Sequence, residues 1–255
     1  MKGFSLIQGL LFVTSVSVQE IQMSETASLE QIYGEAQEAQ ALLPMNELGI
    51  EFGYALYEAT ITVEEENPML KVENIRDYAS VYVDGKLQGW ITEERKSISL
   101  QIPAGEHRLQ LYAENIGRIT YGPEILDNSK GLFGSITLSG TEIENWRMIP
   151  LPMRDCAVGE LTFTPRTTNG GLPCFYKGIF AVETPAETYL DVSGWGMGEV
   201  WVNGHYVGSY WERNAQQSIQ LPAGILKEGA NSLIVFELKS NGKRTMCLSG
   251  KAIFN

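Results

Sequence analysis

The amino-acid sequence predicts an all-β protein that consists of two tandem β-sandwich domains. Short runs in which apolar and polar residues alternate follow one another after Pro44, and Gly, Pro, Asn or Asp separates them, which is typical of sandwich strands. No strong helical periodicity interrupts these runs. Segments of the chain also recur at one fixed offset, and its 255 residues are enough for two domains of ordinary size.

The composition is that of a core-forming chain with a strong acidic bias. Hydrophobic residues make up 44% of the sequence and charged residues 20%, which argues against a disordered protein. The net charge is −12 and the isoelectric point is near 4.7. Because this charge would repel a phosphate backbone, we expect no nucleic-acid partner.

Residues 1–17 are interpreted as a secretory signal peptide. Lys2 is followed by the apolar run GFSLIQGLLFVTSVSV, which contains small residues near its end and is short for a membrane span. The other interpretation is a buried or frayed N-terminal segment. A signal would place a bacterial protein in the periplasm or outside the cell.

Residues 18–47 are predicted to be a linker, irregular in structure or with one short helix. The segment EIQMSETASLEQIYGEAQEAQALL, from Glu20 to Leu43, is rich in Glu, Gln and Ala. It lacks the β-branched alternation of the segments that follow it. The first sandwich is therefore expected to begin at residue 48.

The two sandwiches are predicted over residues 48–150 and 151–255. The strand-like runs of the first are YALYEATITV, ASVYVDG, SISLQIP, HRLQLYAE and GSITLSG. VYVDGKLQG begins at Val81 and VWVNGHYVG at Val200, 119 residues later, and the matches near the C-terminus are offset by five residues more. A longer loop absorbs such an insertion at little cost. Two long copies indicate a domain duplication rather than a solenoid of short repeats.

Each copy contains a predicted two-residue hairpin turn. Asp84-Gly85 and Asn203-Gly204 are the residue pairs that a type I′ turn prefers, since both positions need a positive φ. In the strand before each turn, two valines share one face, and Tyr82 or Trp201 points to the other. A large aromatic side chain there indicates that a loop, a neighbouring domain or a ligand covers this second face.

The chain also contains five longer motifs that point to one family. They are LPMNELGIEFGYALYEATI, VYVDGKLQG, AENIGRITYGPEILDNSKGLFGSITLSG, NWRMIPLPM and GWGMGEVWVNGHYVGSYW. Together they closely resemble the C-terminal part of glycoside hydrolase family 35 β-galactosidases, over nearly all residues from about Ser24 to Asn255. The motifs from Glu114 to Tyr121 and from Gly194 to Trp211 are the most specific. The resemblance implies sandwiches of the jelly-roll, galactose-binding-like type.

The same resemblance implies that catalytic residues are missing. In that family a catalytic (β/α)₈ barrel precedes the sandwiches and holds the glutamate acid/base and the glutamate nucleophile, whereas only a short unrelated segment precedes the linker here. Retaining glycoside hydrolysis needs two carboxyl groups about 5 Å apart across the sugar, and no spacing of acidic residues selects such a pair. We therefore expect a truncated or split homologue that is inactive alone, and whether it is an enzyme stays open.

Residues suited to a sugar are frequent around the second hairpin. A neutral sugar offers an apolar C–H face and hydroxyl groups, which aromatic rings and charged side chains bind. The candidate carbohydrate-binding residues are Trp195, Tyr206, Tyr210, Trp211, Glu212 and Arg213 in the second domain and Trp90, Arg118 and Tyr121 in the first. The competing interpretation is that these rings fill the sandwiches or the contact between them. For Arg118 and Tyr121 a structural role is favoured, with Arg118 paired to Glu114 or Asp127.

The sequence predicts no metal or cofactor site. Cys156, Cys174 and Cys247 lack the CxxC spacing of a zinc site. A bridge between Cys156 and Cys174 in an oxidising compartment and buried free thiols are both open, and free thiols are favoured.

These observations predict a non-catalytic accessory region, structural or carbohydrate-binding, of a β-galactosidase-like glycoside hydrolase in carbohydrate metabolism. One alternative is a free-standing secreted module that binds galactose or β-galactosides, and it requires an exposed aromatic shelf near Trp195 or Trp211. Another is an interaction domain that docks on a separate catalytic barrel or on itself. That alternative requires a large exposed apolar patch.

Overall fold

A computed structural model describes residues 19–117, 122, 125–127, 129–167, 171–239 and 242–255. The chain is all-β, as the sequence predicts, and the helical segments of the described residues are short 3-10 turns at Leu29–Ile32, Val158–Glu160 and Ala223–Ile225. Within these ranges no helix has the length and apolar character needed to cross a bilayer. The predicted signal segment, residues 1–17, lies outside the described residues.

The strands between residues 37 and 151 build the first sandwich, whereas the first strand of the chain belongs to the second sandwich. In chain order, these strands are β1 (Gln19–Ser28), β2 (Gln37–Ala39), β3 (Gly53–Val63), β4 (Met69–Arg76), β5 (Tyr78–Val83), β6 (Lys86–Thr92), β7 (Ser97–Ser99), β8 (Gly105–Asn115), β9 (Gly131–Leu138), β10 (Thr141–Glu142) and β11 (Trp146–Leu151). One sheet has the order β2-β11-β3-β8-β5-β6 and the other β10-β9-β4-β7. Val81 and Val83 lie in the apolar core between these sheets, on one face of β5 as predicted.

The remaining strands build the second sandwich. They are β12 (Thr164–Pro165), β13 (Cys174–Val182), β14 (Thr188–Asp191), β15 (Met197–Val202), β16 (His205–Trp211), β17 (Ser218–Leu221), β18 (Gly229–Glu237) and β19 (Thr245–Ser249). They follow the order β16-β15-β18-β13-β1-β19-β14-β17, and β12 pairs with β1. Strand β1 passes between the two halves of this arrangement, because Ile21 pairs with Met246 of β19 and Met23 pairs with Gly178 of β13.

The predicted linker over residues 18–47 is wrong for its first ten described residues, which form strand β1. Ile21 and Met23 alternate with exposed polar residues and are buried in the core of the second sandwich. Glu and Gln at the exposed positions give the segment its helix-like composition. Its conformation is nevertheless a strand, because it pairs with a strand on each side and strand preference depends on such context. The limits proposed for the two domains stay a prediction.

The structure reproduces the repeat at the level of strands. β4, β5 and β6 begin 119 residues before β14, β15 and β16. In the two hairpins Asp84 and Asn203 have φ of 49° and 52°, and Gly85 and Gly204 have 74° and 80°, which confirms the predicted type I′ turns. Each hairpin also carries an irregular register after its first valine, opposite Gly89 or Gly208.

A third apolar cluster joins the two sandwiches, and we call this contact the seam. Tyr82 and Trp201 both lie in it and are almost fully buried, so the second face of each strand is covered by the neighbouring sandwich. The Tyr54 ring meets Phe236 edge-on with 5.2 Å between centroids, and the Tyr82 hydroxyl donates to the carbonyl of Leu238. The seam therefore fixes the two sandwiches against each other by apolar packing and hydrogen bonds.

Candidate functional site at the seam

Two of the predicted sugar-binding rings lie in the core of the second sandwich. Trp195 is 1% exposed, and its indole N–H donates to the carbonyl of Thr245 at 2.9 Å. Tyr210 is buried and donates to the carbonyl of Phe236 at 3.0 Å. The prediction that these rings contact a sugar is corrected, because neither ring face reaches the surface.

Arg118 and Tyr121 lie outside the described residues. The two partners predicted for Arg118 have other contacts: Glu114 is hydrogen-bonded to the Tyr54 hydroxyl, and Asp127 pairs with Arg76 at 3.0 Å.

Trp90 and Glu212 are brought together across the seam by a lysine that the sequence analysis missed. Trp90 lies on edge strand β6 of the first sandwich and is 36% exposed. The Lys239 ammonium, just after β18, lies 5.2 Å from the centre of the Trp90 ring and 5.1 Å from that of Tyr78. The same ammonium forms a salt bridge with Glu212. Trp90 and Glu212 were candidates from the sequence, but Lys239 carried no local signal because its contacts with them form only when the two sandwiches pack.

Trp211 and Arg213 flank Glu212 in the chain and contact each other. The Arg213 guanidinium lies 5.6 Å from the centre of the half-buried Trp211 ring. The Trp211 indole N–H is buried and has no hydrogen-bond partner among the described residues. We call this group the Trp90 cluster; it consists of Tyr78, Trp90, Trp211, Glu212, Arg213 and Lys239.

The Trp90 cluster has the chemistry that a carbohydrate requires. A half-exposed indole ring can pack against the C–H face of a sugar, and carboxylate, ammonium and guanidinium groups can bind its hydroxyls. Lys239 is 8% exposed, so its charge is held near the Trp90 ring by burial, by Glu212 and by the ring itself. Arg95 also lies near this ring, at 5.8 Å from its centre. A ligand on Trp90 would therefore contact both sandwiches.

Tyr206 belongs to a second group, which we call the carboxyl bridge: Tyr54, Glu114, Glu199 and Tyr206. The Tyr54 hydroxyl lies 3.1 Å from Oε1 of Glu114 and 3.1 Å from Oε1 of Glu199. Tyr206 donates to the other oxygen of Glu199 at 2.7 Å. Tyr54 and Tyr78 both face Glu114 across neighbouring strands, so the bridge adjoins the Trp90 cluster along one row of the sheet.

Burial dominates the electrostatics of the carboxyl bridge. Burial, followed by the nearby Glu199, raises the pKa of Glu114 to about 8. Burial also raises the pKa of Glu199, against the hydrogen bonds from Tyr206 and Tyr54. The pKa of Tyr206 is raised to about 12 by burial and by Glu199. With a pKa of about 8, the Glu114 carboxyl group is mostly neutral at pH 7.

The described residues contain no group of three or more His, Cys, Asp or Glu side chains arranged to hold a metal. The three cysteines are free thiols, and burial raises the pKa of Cys156 to about 11. A cavity of about 530 Å³ lies between the end of β3 and residues 138–144, but it contains none of the candidate site residues. The Trp90 cluster is therefore the arrangement in which most of the accessible candidates meet.

Comparisons with known proteins place these features in one family. Residues 43–152 match the first all-β domain of β-galactosidase, and residues 173–231 match the galactose-binding domain of β-galactosidase. A lectin from Pleurotus ostreatus can be superimposed over 91% of this chain and 84% of its own at 12% identity, but its TM-score of 0.29 is too low to support an inference.

The curated relatives are longer than this chain. A β-galactosidase of Xanthomonas manihotis is 37% identical over 182 residues, which are 70% of this chain and 29% of that protein. The human β-galactosidase-1-like protein 2 is 32% identical over 195 residues, 74% of this chain and 30% of that protein. The chain thus spans less than a third of these two relatives. It belongs to the β-galactosidase family, of which it carries the first all-β domain and the galactose-binding domain.

Proposed function

We propose that this chain is a non-catalytic accessory region of a β-galactosidase-like glycoside hydrolase and that it contacts galactosides at the Trp90 cluster. The observation that carries the proposal is the meeting of Trp90 with Lys239 and Glu212 across the seam. A half-exposed ring beside a buried cation and a half-exposed carboxylate matches the needs of a neutral sugar. The family match of residues 173–231 to a galactose-binding domain supports the same ligand class.

The accessory role is supported by the surroundings of the acidic residues. Glu114 and Glu199 share one tyrosine hydroxyl inside the seam, and Glu237 accepts from several backbone N–H groups in the second sandwich. Buried positions of this kind leave no room for a sugar between two carboxyl groups. A role in β-galactoside metabolism would therefore depend on a catalytic barrel supplied elsewhere.

The experiment is a titration of galactose and a β-galactoside into the purified protein, followed by tryptophan fluorescence and calorimetry. We expect saturable binding that Trp90→Ala weakens at least about tenfold, the effect of losing one aromatic contact of about 1.4 kcal/mol. Leu87→Ala is the control, because Leu87 is an exposed apolar residue on the same strand but outside the cluster. Hydrolysis of a chromogenic β-galactoside is measured on the same samples.

The results of these measurements distinguish sugar binding from docking on a catalytic barrel. Equal binding by the Trp90 and Leu87 variants would remove the Trp90 cluster as the site. Hydrolysis of the chromogenic β-galactoside by the purified protein would contradict the non-catalytic assignment. Absence of both binding and turnover would favour the second candidate, an interaction domain that docks on a separate barrel.

Two exposed apolar side chains support the second candidate function, docking on a separate barrel. Phe52 and Ile116 are 40% and 55% exposed, and each lies two residues along the chain from a member of the carboxyl bridge, Tyr54 or Glu114. Exposed apolar side chains of this size are typical of contact surfaces when they adjoin each other. The proposed periplasmic or extracellular location fits either function and depends on the interpretation of residues 1–17.

A further inference from the structure

We propose that one proton, held on Glu114 and linked through Tyr54 to Glu199, locks the two sandwiches together and that its loss at mildly alkaline pH weakens the seam. Tyr54 and Glu114 belong to the first sandwich, while Glu199 and Tyr206 belong to the second. The inference is independent of sugar binding and of the proposed function.

Tyr54 has a single hydroxyl hydrogen for two neighbouring carboxyl groups. A phenolic hydroxyl has one hydrogen to donate, whereas an ionised carboxylate can only accept. Tyr54 lies 3.1 Å from an oxygen of each carboxyl group, so two ionised groups would have to share this single hydrogen. With Glu114 protonated, Glu114 donates to the Tyr54 oxygen, and Tyr54 donates its own hydrogen to Glu199.

Glu199 is the better anion of the pair. It also accepts a hydrogen bond from Tyr206 at 2.7 Å, so both of its oxygens have donors. The second oxygen of Glu114 is buried and has no partner among the described residues. Because a buried charge without donors is costly, the proton belongs on Glu114.

Within the part of the chain that the structure describes, no cation forms a salt bridge with either carboxyl group. The groups that face Glu114 from the surrounding elements are Tyr54 on β3, Glu199 on β15, Asp77 before β5 and Lys239 after β18, and Glu199 in turn faces Tyr206 and Arg154. Lys239 forms its salt bridge with Glu212, and Asp77 with Lys130. Burial and the charge of Glu199 together raise the pKa of Glu114 to about 8.

The direction of the pH effect follows from this shift. A carboxyl group with a higher pKa in the folded than in the unfolded chain binds more protons when folded, so stability falls as pH rises between the two values. For Glu114 that window extends from the ordinary value of 4.5 to about 8. Within it the unfolding equilibrium constant rises by up to about tenfold per pH unit from this group alone.

The test compares urea denaturation of the wild type and Glu114→Gln from pH 5 to pH 9. A glutamine amide donates to Tyr54 as the protonated acid does, so we expect the variant to match the wild type near pH 5 and to exceed it by at least tenfold in folding equilibrium constant at pH 8. The matched control is Glu237→Gln, because Glu237 is buried but accepts from three backbone N–H groups and Tyr210. An amide nitrogen cannot accept from these donors, so Glu237→Gln should destabilise the fold near pH 5, where Glu114→Gln should not.

A second measurement detects the proton directly. In wild-type protein labelled with ¹³C-glutamate, infrared spectroscopy should show a buried protonated carboxyl band at pH 7 that falls to about half near pH 8. This measurement does not depend on the folding of the glutamine variant. Absence of that band at pH 7 would overturn the proposal. So would a Glu114→Gln protein that is less stable than the wild type at pH 8, since Glu114 would then act as an anion.

Discussion

Three buried glutamate side chains show how surroundings decide the charge of one residue type. Glu58 forms salt bridges with two arginines, Arg108 and Arg147. Glu237 is stabilised by several N–H donors, although burial still raises its pKa. Among the described residues Glu114 has one hydroxyl partner, and burial raises its pKa to about 8. Their different roles arise from donors that distant strands supply, which explains why the sequence alone did not separate them.

Gly198 is a residue-scale test of how tightly β15 packs against β18. A methyl group at this position would lie 1.8 Å from the carbonyl oxygen of Phe236, which is backbone and cannot rotate away. We expect Gly198→Ala to lower the free energy of unfolding by about 3 kcal/mol or more, or to prevent folding. Gly224→Ala is the control because nothing lies within 4 Å of the added atom. Denaturation midpoints for both variants check this, and equal midpoints would contradict the packing described.

At the scale of elements, the hairpins and the first strand mark what the sequence could and could not predict. The hairpin at Asp84-Gly85 and its copy were predictable because turn chemistry and alternation are local signals. Strand β1 was not, since its neighbours β13 and β19 lie more than 140 residues away in the chain. Lys239 was missed for the same reason, because its contacts with Trp90 and Glu212 arise from the assembly of the seam. Strand β1 and the contacts of Lys239 thus depend on pairing between distant segments, which composition does not reveal.

A pair of charge substitutions distinguishes strand β1 from a linker. Met23 is buried in the second core, whereas the next residue, Ser24, is exposed. We expect Met23→Asp to cost about 3 kcal/mol or more in unfolding free energy, because it buries an unpaired carboxyl group, and Ser24→Asp to cost under about 0.5 kcal/mol. Urea denaturation measures both. A flexible linker would tolerate the two changes equally, which is the outcome that would refute the strand.

At the scale of the whole molecule, the seam is comparable to a domain core. Among the described residues it contains 17 buried apolar side chains, as many as the core of the second sandwich. Contacts between domains are usually smaller and more polar than domain interiors, and they then allow relative motion. The two sandwiches are therefore expected to behave as one rigid body.

Calorimetry tests this behaviour. We expect a single thermal transition at pH 6, with equal calorimetric and van't Hoff enthalpies, because separating the sandwiches would expose the whole seam. A control scan with Trp201→Ala, which removes a large side chain from the seam, should lower the transition temperature and broaden or split the transition. Two well-separated transitions in the wild type would show that the sandwiches unfold independently.

Strand β1 has a consequence for the order in which the protein is made. The ribosome releases this strand before its partner β13, which begins at Cys174. At typical synthesis rates the strand waits roughly 7 to 30 s for that partner, a period in which the first sandwich can already close. Throughout this delay the unpaired backbone edges of the strand and the apolar side chains of Ile21 and Met23 are available to other nascent chains. A chaperone that binds this segment early would protect it until β19, the last strand, emerges and β1 can pair with both β13 and β19.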